Sequence, residues 1–379
     1  MSPGPCPGAC IHSRERPSSV FVAWKDLRFA KGRFALMGVV VVLITVLVGL
    51  VSGLTAGLAH QNISAITDLR ADRLAFAAPA DGEKVSFTDS QVDAATWQAW
   101  ADVPGVTSAE PLAITMTRAA VDGGKAASVA AFGVEPGSSL APDSRVADGS
   151  VVLSAAAADD LGLAPGDTLT LAGRQVEVAA VAGDDWYSHT PVVWASLADA
   201  QQGGAAADGD APTATVVALT TDSGADLAAA DARLGTSTVT TGDALSAIGS
   251  YTSENGSLQL MRGFLFAISA LVIGAFFTVW TIQRSGDVAV LKALGASTRY
   301  LLRDALGQAV VLLVLGTAIG SAIAAGVGLA IRGSAPFVLD LSTVLVPALV
   351  MIVLGAAGAG LSIRRITSVD PLTALGSAR

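Results

Sequence analysis

The chain has 379 residues, 52% of them hydrophobic and 15% charged, with mean hydropathy +0.58 and net charge −9. Soluble globular chains carry about a quarter charged residues, so this composition argues against an ordinary soluble protein. Charge is also segregated: residues 60–258 hold 26 Asp/Glu against 8 Lys/Arg and the remainder 15 Lys/Arg against 6 Asp/Glu, so no basic stripe lies on the polar region and nucleic acid is excluded as a partner.

Residues 1–20, rich in Pro and Gly and carrying both cysteines (Cys6 and Cys10), read as a disordered leader. Residues 21–33 interleave Phe21, Trp24, Leu27 and Phe29 with Lys25, Arg28, Lys31 and Arg33. That is an amphipathic cytoplasmic segment suited to the surface of a lipid bilayer. Residues 34–59 are uncharged. They exceed the ~20 apolar residues needed to cross hydrocarbon and are too long for the core of a cleaved signal peptide, so they predict a first, uncleaved span.

Residues 60–258 predict an extracytoplasmic mixed α/β domain. Residues 150–155 and 168–182 are rich in Val and Leu and read as strands. Residues 156–163 between them read as a short helix closed by a turn at Ala164-Pro165-Gly166-Asp167. Strands are also expected at 213–221 and 236–239, a helix at 222–235, and a loop or low-complexity insert at 201–211. Three more spans follow, at 259–283, 305–331 and 341–363, separated by a loop at 284–304 and closed by a tail at 364–379. Four spans place Lys25–Arg33, Arg284–Arg303 and the pair Arg364-Arg365 on one side, so both termini are expected in the cytoplasm of a multi-pass plasma-membrane protein. The fold class is therefore membrane α-helical, with four transmembrane helices and the α/β domain inserted between helices 1 and 2.

Gly49, Gly53 and Gly57 recur four residues apart on one face of the first span. Small residues let helix backbones approach where no water drives association. Packing within the chain and packing across a homodimer are both open for this face.

No P-loop, H-E-x-x-H or G-x-S-x-G motif occurs. His12, His60 and His189 form no metal set at a known ligand spacing. No catalytic residue, no metal site and no cofactor of its own are expected, and the chain is not read as an enzyme. In the loop after the second span, Val288, Leu291 and Leu294 beside Asp287 and Lys292 make a short amphipathic helix that Gly295 ends. An apolar face exposed there needs a protein or a lipid surface to dock on.

The stretch TIQRSGDVAVLKALGAS, followed by Thr298-Arg299-Tyr300-Leu301-Leu302, resembles the coupling segment of FtsX/MacB-type ABC transporter permeases. Val369-Asp370-Pro371-Leu372-Thr373-Ala374-Leu375 resembles that family's C-terminal ending, and one span, a large outer domain and three spans is its layout. Within the family the chain is most similar to the heme-exporting HrtB-type permeases of Gram-positive bacteria. That likeness rests on Ser52-Gly53-Leu54, Gln61-Asn62-Ile63-Ser64, Tyr187-Ser188-His189, Ser250-Tyr251 and the second span. The resemblance implies a homodimer served by two copies of a separate cytoplasmic ABC ATPase, which binds ATP and Mg²⁺, with Asp287, Val288, Leu291, Lys292, Leu294 and Gly295 coupling to it. It implies heme as cargo. Residues placed to meet an iron or a propionate where the first two spans leave the bilayer are His60, Tyr251, Glu254, Met261 and Arg262, with Phe264 as an apolar wall. Two further readings stay open: an FtsX-like signalling permease that activates a wall hydrolase, and a lipoprotein, drug or peptide exporter of the MacB class.

Overall fold

A computed structural model describes residues 31–201, 213–283, 290–292, 294–331 and 333–367, together with Gly286. The leader, residues 21–30, most of the 201–211 stretch, Asp287, Val288 and the Val369–Leu375 motif lie outside the described residues. In chain order the main elements are α1 (Lys31–Thr67), β1 (Arg73–Ala77), α2 (Ala94–Ala101), β2 (Val106–Ala120), β3 (Ala126–Val134), β4 (Ser150–Leu153), α3 (Ala155–Leu161), β5 (Thr168–Leu171), β6 (Arg174–Val181), β7 (Trp186–Tyr187), β8 (Thr190–Ser196), α4 (Leu197–Gln201), β9 (Val216–Thr221), α5 (Leu227–Leu234), β10 (Thr236–Thr240), α6 (Tyr251–Gln283), α7 (Thr298–Ala330) and α8 (Leu341–Thr367), with one helical turn at Thr241–Ala244 and a 3-10 turn at Leu245–Ala247 between β10 and α6. They form two compact units, one of residues 1–53, 262–331 and 339–379, the other of residues 54–261 and 332–338.

In the second unit the strands run in the order β10-β1-β9-β2-β3-β8-β4-β6-β5, and β5 returns to pair with the end of β2. The 15-residue β2 makes this possible. Its first half pairs with β9 and its second half with β3 and β5, so six strands close on themselves and leave no edge. Side-chain alternation then sorts residues between cores. Val192 and Trp194 of β8, Ala130, Phe132 and Val134 of β3, and Leu74 and Phe76 of β1 point into one cluster. Val193 and Ala195 of β8, with Val129 and Ala131 of β3, point into a second, which Ala157 and Leu161 of α3 also join. Every residue of β8 is buried, because both of its faces are covered.

The first cluster also takes in Ala65, Ile66 and Leu69 at the end of α1 and Ala244, Ala247 and Ile248 just before α6, with Tyr251 packed against it. The outer end of α1 and the start of α6 thus belong to the core of the sheet unit. This is why α1 runs 37 residues without a break: at 1.5 Å per residue it is about 55 Å long, well beyond a hydrocarbon core of about 30 Å. Likewise α6 starts at Tyr251, ahead of the apolar run that follows.

Local signals explain the short elements. Asp93 and Ser154 cap α2 and α3 by accepting from Thr96 N and Ala157 N, and Gly162 ends α3 at φ +72°. The segment expected as one strand at 168–182 is two, β5 and β6, joined at Ala172-Gly173 with φ +49° and +87°. A two-residue hairpin needs that left-handed pair to match strand twist.

The first unit is helical. Among the described residues four helices (Ala35–Thr67, Tyr251–Gln283, Arg299–Ala330 and Leu341–Ser362) are long and apolar enough to cross a membrane. Their packed centre is Met37, Val41 and Val48 of α1, Ile273, Phe277 and Trp280 of α6, Ala309, Leu312 and Leu313 of α7, and Met351 and Ala359 of α8. Glycines set the approach distances. A Cβ on Gly49 would sit 2.8 Å from Ala324 Cβ, one on Gly316 2.7 Å from Val41 Cγ1, and one on Gly320 2.6 Å from Thr45 Cβ. At Gly49 the small-residue face of α1 therefore meets α7 of the same chain. Gly53 is buried, and in the sheet unit a Cβ on Gly57 would run into the Pro336 carbonyl. Hydroxyls in these helices close onto the preceding turn. Thr45, Ser269, Thr281 and Thr317 donate to the carbonyls of Val41, Leu265, Phe277 and Leu313 at 2.6–2.8 Å, as a site without water requires.

After α6 a helical turn ends at Gly295 (φ +92°). Ala296 N donates to Leu291 O at 3.0 Å and Gly295 N to Lys292 O at 3.1 Å, the paired bonds of a Schellman stop. Ser297 then caps α7.

Candidate functional site

The sheet unit carries one side-chain cluster that joins the outer end of α1, the first turn of α6 and the β7–β8 hairpin. Asn62 is 1% exposed, and its Nδ2 donates to Glu254 Oε2 at 2.8 Å. His189 Nε2 meets the same oxygen at 2.7 Å. A carboxylate has only lone pairs to offer, so His189 Nε2 must carry the proton, and the 3.4 Å approach of Asn62 Nδ2 to that nitrogen is a contact between two donors. Ser250 Oγ lies 3.3–3.4 Å from both ends of the Asn62 amide, and Ser188 Oγ lies 3.4 Å from Ser250 Oγ.

The hairpin reaches these partners through an unusual turn. Ser188 and His189 are its two central residues, and both are left-handed, with φ +49° and +62°. Gly and Asn fill such turns because they adopt positive φ cheaply. A Ser-His pair is strained by about 1–3 kcal/mol per residue. The backbone is held by two bonds to α1: Ser188 N donates to Asn62 O at 2.9 Å and His189 N to Gln61 O at 2.8 Å. Beside them Trp186 N donates to Ser64 Oγ at 2.8 Å. The His189–Glu254 pair does not repay the strain. Its side chains are 31% and 41% exposed, and exposed pairs contribute about 0–1 kcal/mol.

The residues expected at a cargo site have different local surroundings in the structure. Glu254 lies in the cluster. His60 turns instead to Asp184, with Nε2 3.5 Å from Oδ2; the His60 contact, outweighing burial, holds the Asp184 carboxyl below its ordinary value. Next to it Asp185 is buried, and burial pushes its carboxyl up although Trp194 Nε1 donates to it at 2.8 Å. Tyr251 packs against the apolar core. Met261 is exposed on α6. Arg262, half-buried, and Phe264, exposed, belong to the helical unit. Asn62, Ser188, His189 and Ser250 were not expected as site residues, although each falls in a short polar string that carries the family resemblance. In the loop after α6, Leu291 and Leu294 are exposed with Val290. Among the described residues no group of three or more His, Cys, Asp or Glu could hold a metal ion.

Comparison with known proteins accounts for nearly the whole chain. Residues 35–237 match the model of the MacB-like periplasmic core domain, and residues 260–371 that of the FtsX-like permease C-terminal region. The chain is 25% identical over 370 residues to a putative hemin transport system permease protein HrtB of Staphylococcus epidermidis, covering 94% of this chain and 99% of that one. It is 25% identical over 363 residues to an uncharacterized ABC transporter permease of Mycobacterium tuberculosis, with the same coverage. The crystallised extracellular domain of the noncanonic ABC-type transporter YknZ from Gram-positive bacteria aligns with a TM-score of 0.33 and 14% identity, over 45% of this chain and 99% of that domain.

Proposed function

This chain belongs to the FtsX/MacB-type ABC transporter permeases, and on that premise we propose that it is the membrane subunit of an efflux system exporting heme, or a similar flat amphiphile, taken from the bilayer. The observation that carries the cargo reading is Glu254, partly exposed on the first turn of α6 and paired with His189. It offers a carboxylate of the sheet unit, an available ligand type for a metal-centred or cationic ligand. The name of the Staphylococcus epidermidis relative supports the same cargo.

A separate cytoplasmic ATPase supplies the work. Two copies of it engage a homodimer of this chain, both termini are cytoplasmic, and the sheet domain is outside. The turn that ends at Gly295 transmits closure, and its exposed Leu291 and Leu294 are the docking residues. The end of α1 and the start of α6 pack in the core of the sheet unit, and cargo movement draws on displacement of packed elements of this kind.

Deletion of the gene should sensitise cells to added hemin, and plasmid-borne parent should restore growth. Unchanged growth of the deletion strain on toxic hemin would reject the cargo while leaving the permease assignment intact.

A further inference from the structure

We infer that His189 is a positioning residue for Glu254: the strained Ser188-His189 turn exists to fix the Glu254 carboxylate so that one oxygen is committed and the other is presented to a ligand. The inference rests on the cargo reading above and names how that site is organised.

Three observations carry it. Both hydrogen bonds to Glu254, from His189 Nε2 and Asn62 Nδ2, fall on Oε2. Oε1 has no bond among the described residues, on a side chain 41% exposed. The two donors are themselves fixed. Asn62 is fully buried, with Ser250 at its amide, and His189 is set by its left-handed backbone and its N–H bond to Gln61 O. Finally, the turn would be unstrained as Asn-Gly, and the exposed pair it creates returns less stability than the strain costs. A stabilising role therefore does not account for Ser188-His189, whereas a requirement on the geometry of Glu254 does. A carboxylate held by two donors meets a metal or a cation with one rotamer already selected, which lowers the ordering cost of binding.

The test uses the full-length purified chain and hemin, followed by Soret titration and thermal unfolding. His189→Ala should weaken hemin binding about tenfold, and His189→Gln, whose amide can still donate to Oε2, should restore most of it. The double variant Ser188→Asn/His189→Gly should unfold at or above the parental temperature and bind as weakly as His189→Ala. Glu254→Gln should bind weaker than any of these. Parental affinity in His189→Ala, with binding lost in Glu254→Gln, would overturn the positioning role and keep the cargo site. Parental affinity in Glu254→Gln would overturn both. A double variant that unfolds several degrees lower would make the turn structural and overturn the inference.

Discussion

Leu294 offers the cleanest test of ATPase coupling. It is 78% exposed, beside Val290 at 55% and Leu291 at 41%. Fully burying a leucine side chain is worth about 1.5–3 kcal/mol. With most of its surface still in contact with solvent or headgroups, about 1–2 kcal/mol remains for a docking partner to gain. Leu294→Ala should therefore leave the unfolding temperature of the isolated permease unchanged while weakening its complex with the ATPase about 5- to 30-fold. The Schellman stop survives, because its bonds are made by backbone at Leu291, Lys292, Gly295 and Ala296. Co-purification at graded ATPase concentrations, with the hydrolysis rate read in the same proteoliposomes, supplies the measurement. Parental affinity and parental stimulation in Leu294→Ala would refute the docking role.

Gly320→Val should destabilise the helical unit by about 1–3 kcal/mol, since its Cβ would meet Thr45 Cβ at 2.6 Å and the Val42 carbonyl at 2.8 Å. Gly326→Ala, with nothing within 4 Å, should stay within about 0.5 kcal/mol of the parent; thermal inactivation in detergent distinguishes the two. Asp185→Asn should raise the unfolding temperature at pH 7. Burial raises the Asp185 carboxyl, so the folded state favours the protonated form, and stability falls as pH rises from the ordinary carboxylate value through the raised one. The amide retains an acceptor for Trp194, and the gain should shrink as the pH is lowered toward 4; a gain independent of pH would count against the burial argument. The Asp184 carboxyl has the opposite sign, being held down by His60, so its contribution is present above the ordinary carboxylate value and is lost as pH falls. Asp184→Asn should therefore flatten the acid limb of the unfolding profile, and an unchanged limb would show that the pair contributes nothing.

Apolar runs are legible because a bilayer imposes a length and a hydropathy that nothing else in a chain mimics. The four helices long and apolar enough to span, the polar domain placed between the first and second, and the glycine that ends the turn after α6 all follow from sequence patterns. So do the helix at 155–161, which Ser154 caps, and the strand at 216–221, which is rich in Val and Thr. What the sequence by itself left undetermined is everything that depends on pairing at long separation. Strand β2 is not singled out by the sequence, yet its two halves serve different neighbours and its end pairs with β5 to close the six strands on themselves. The sequence does not say what the Gly49 face of α1 packs on; the structure sets Gly49 against Ala324 of α7. Asn62, His189 and Glu254 are separated by 127 and 65 residues, and no spacing rule connects them. His60, the more conspicuous histidine at the end of the first span, goes to Asp184 instead. Local chemistry along the chain fixes where elements begin and end. Which side chains share a hydrogen bond is decided only when the sheet brings a strained turn against the ends of two helices.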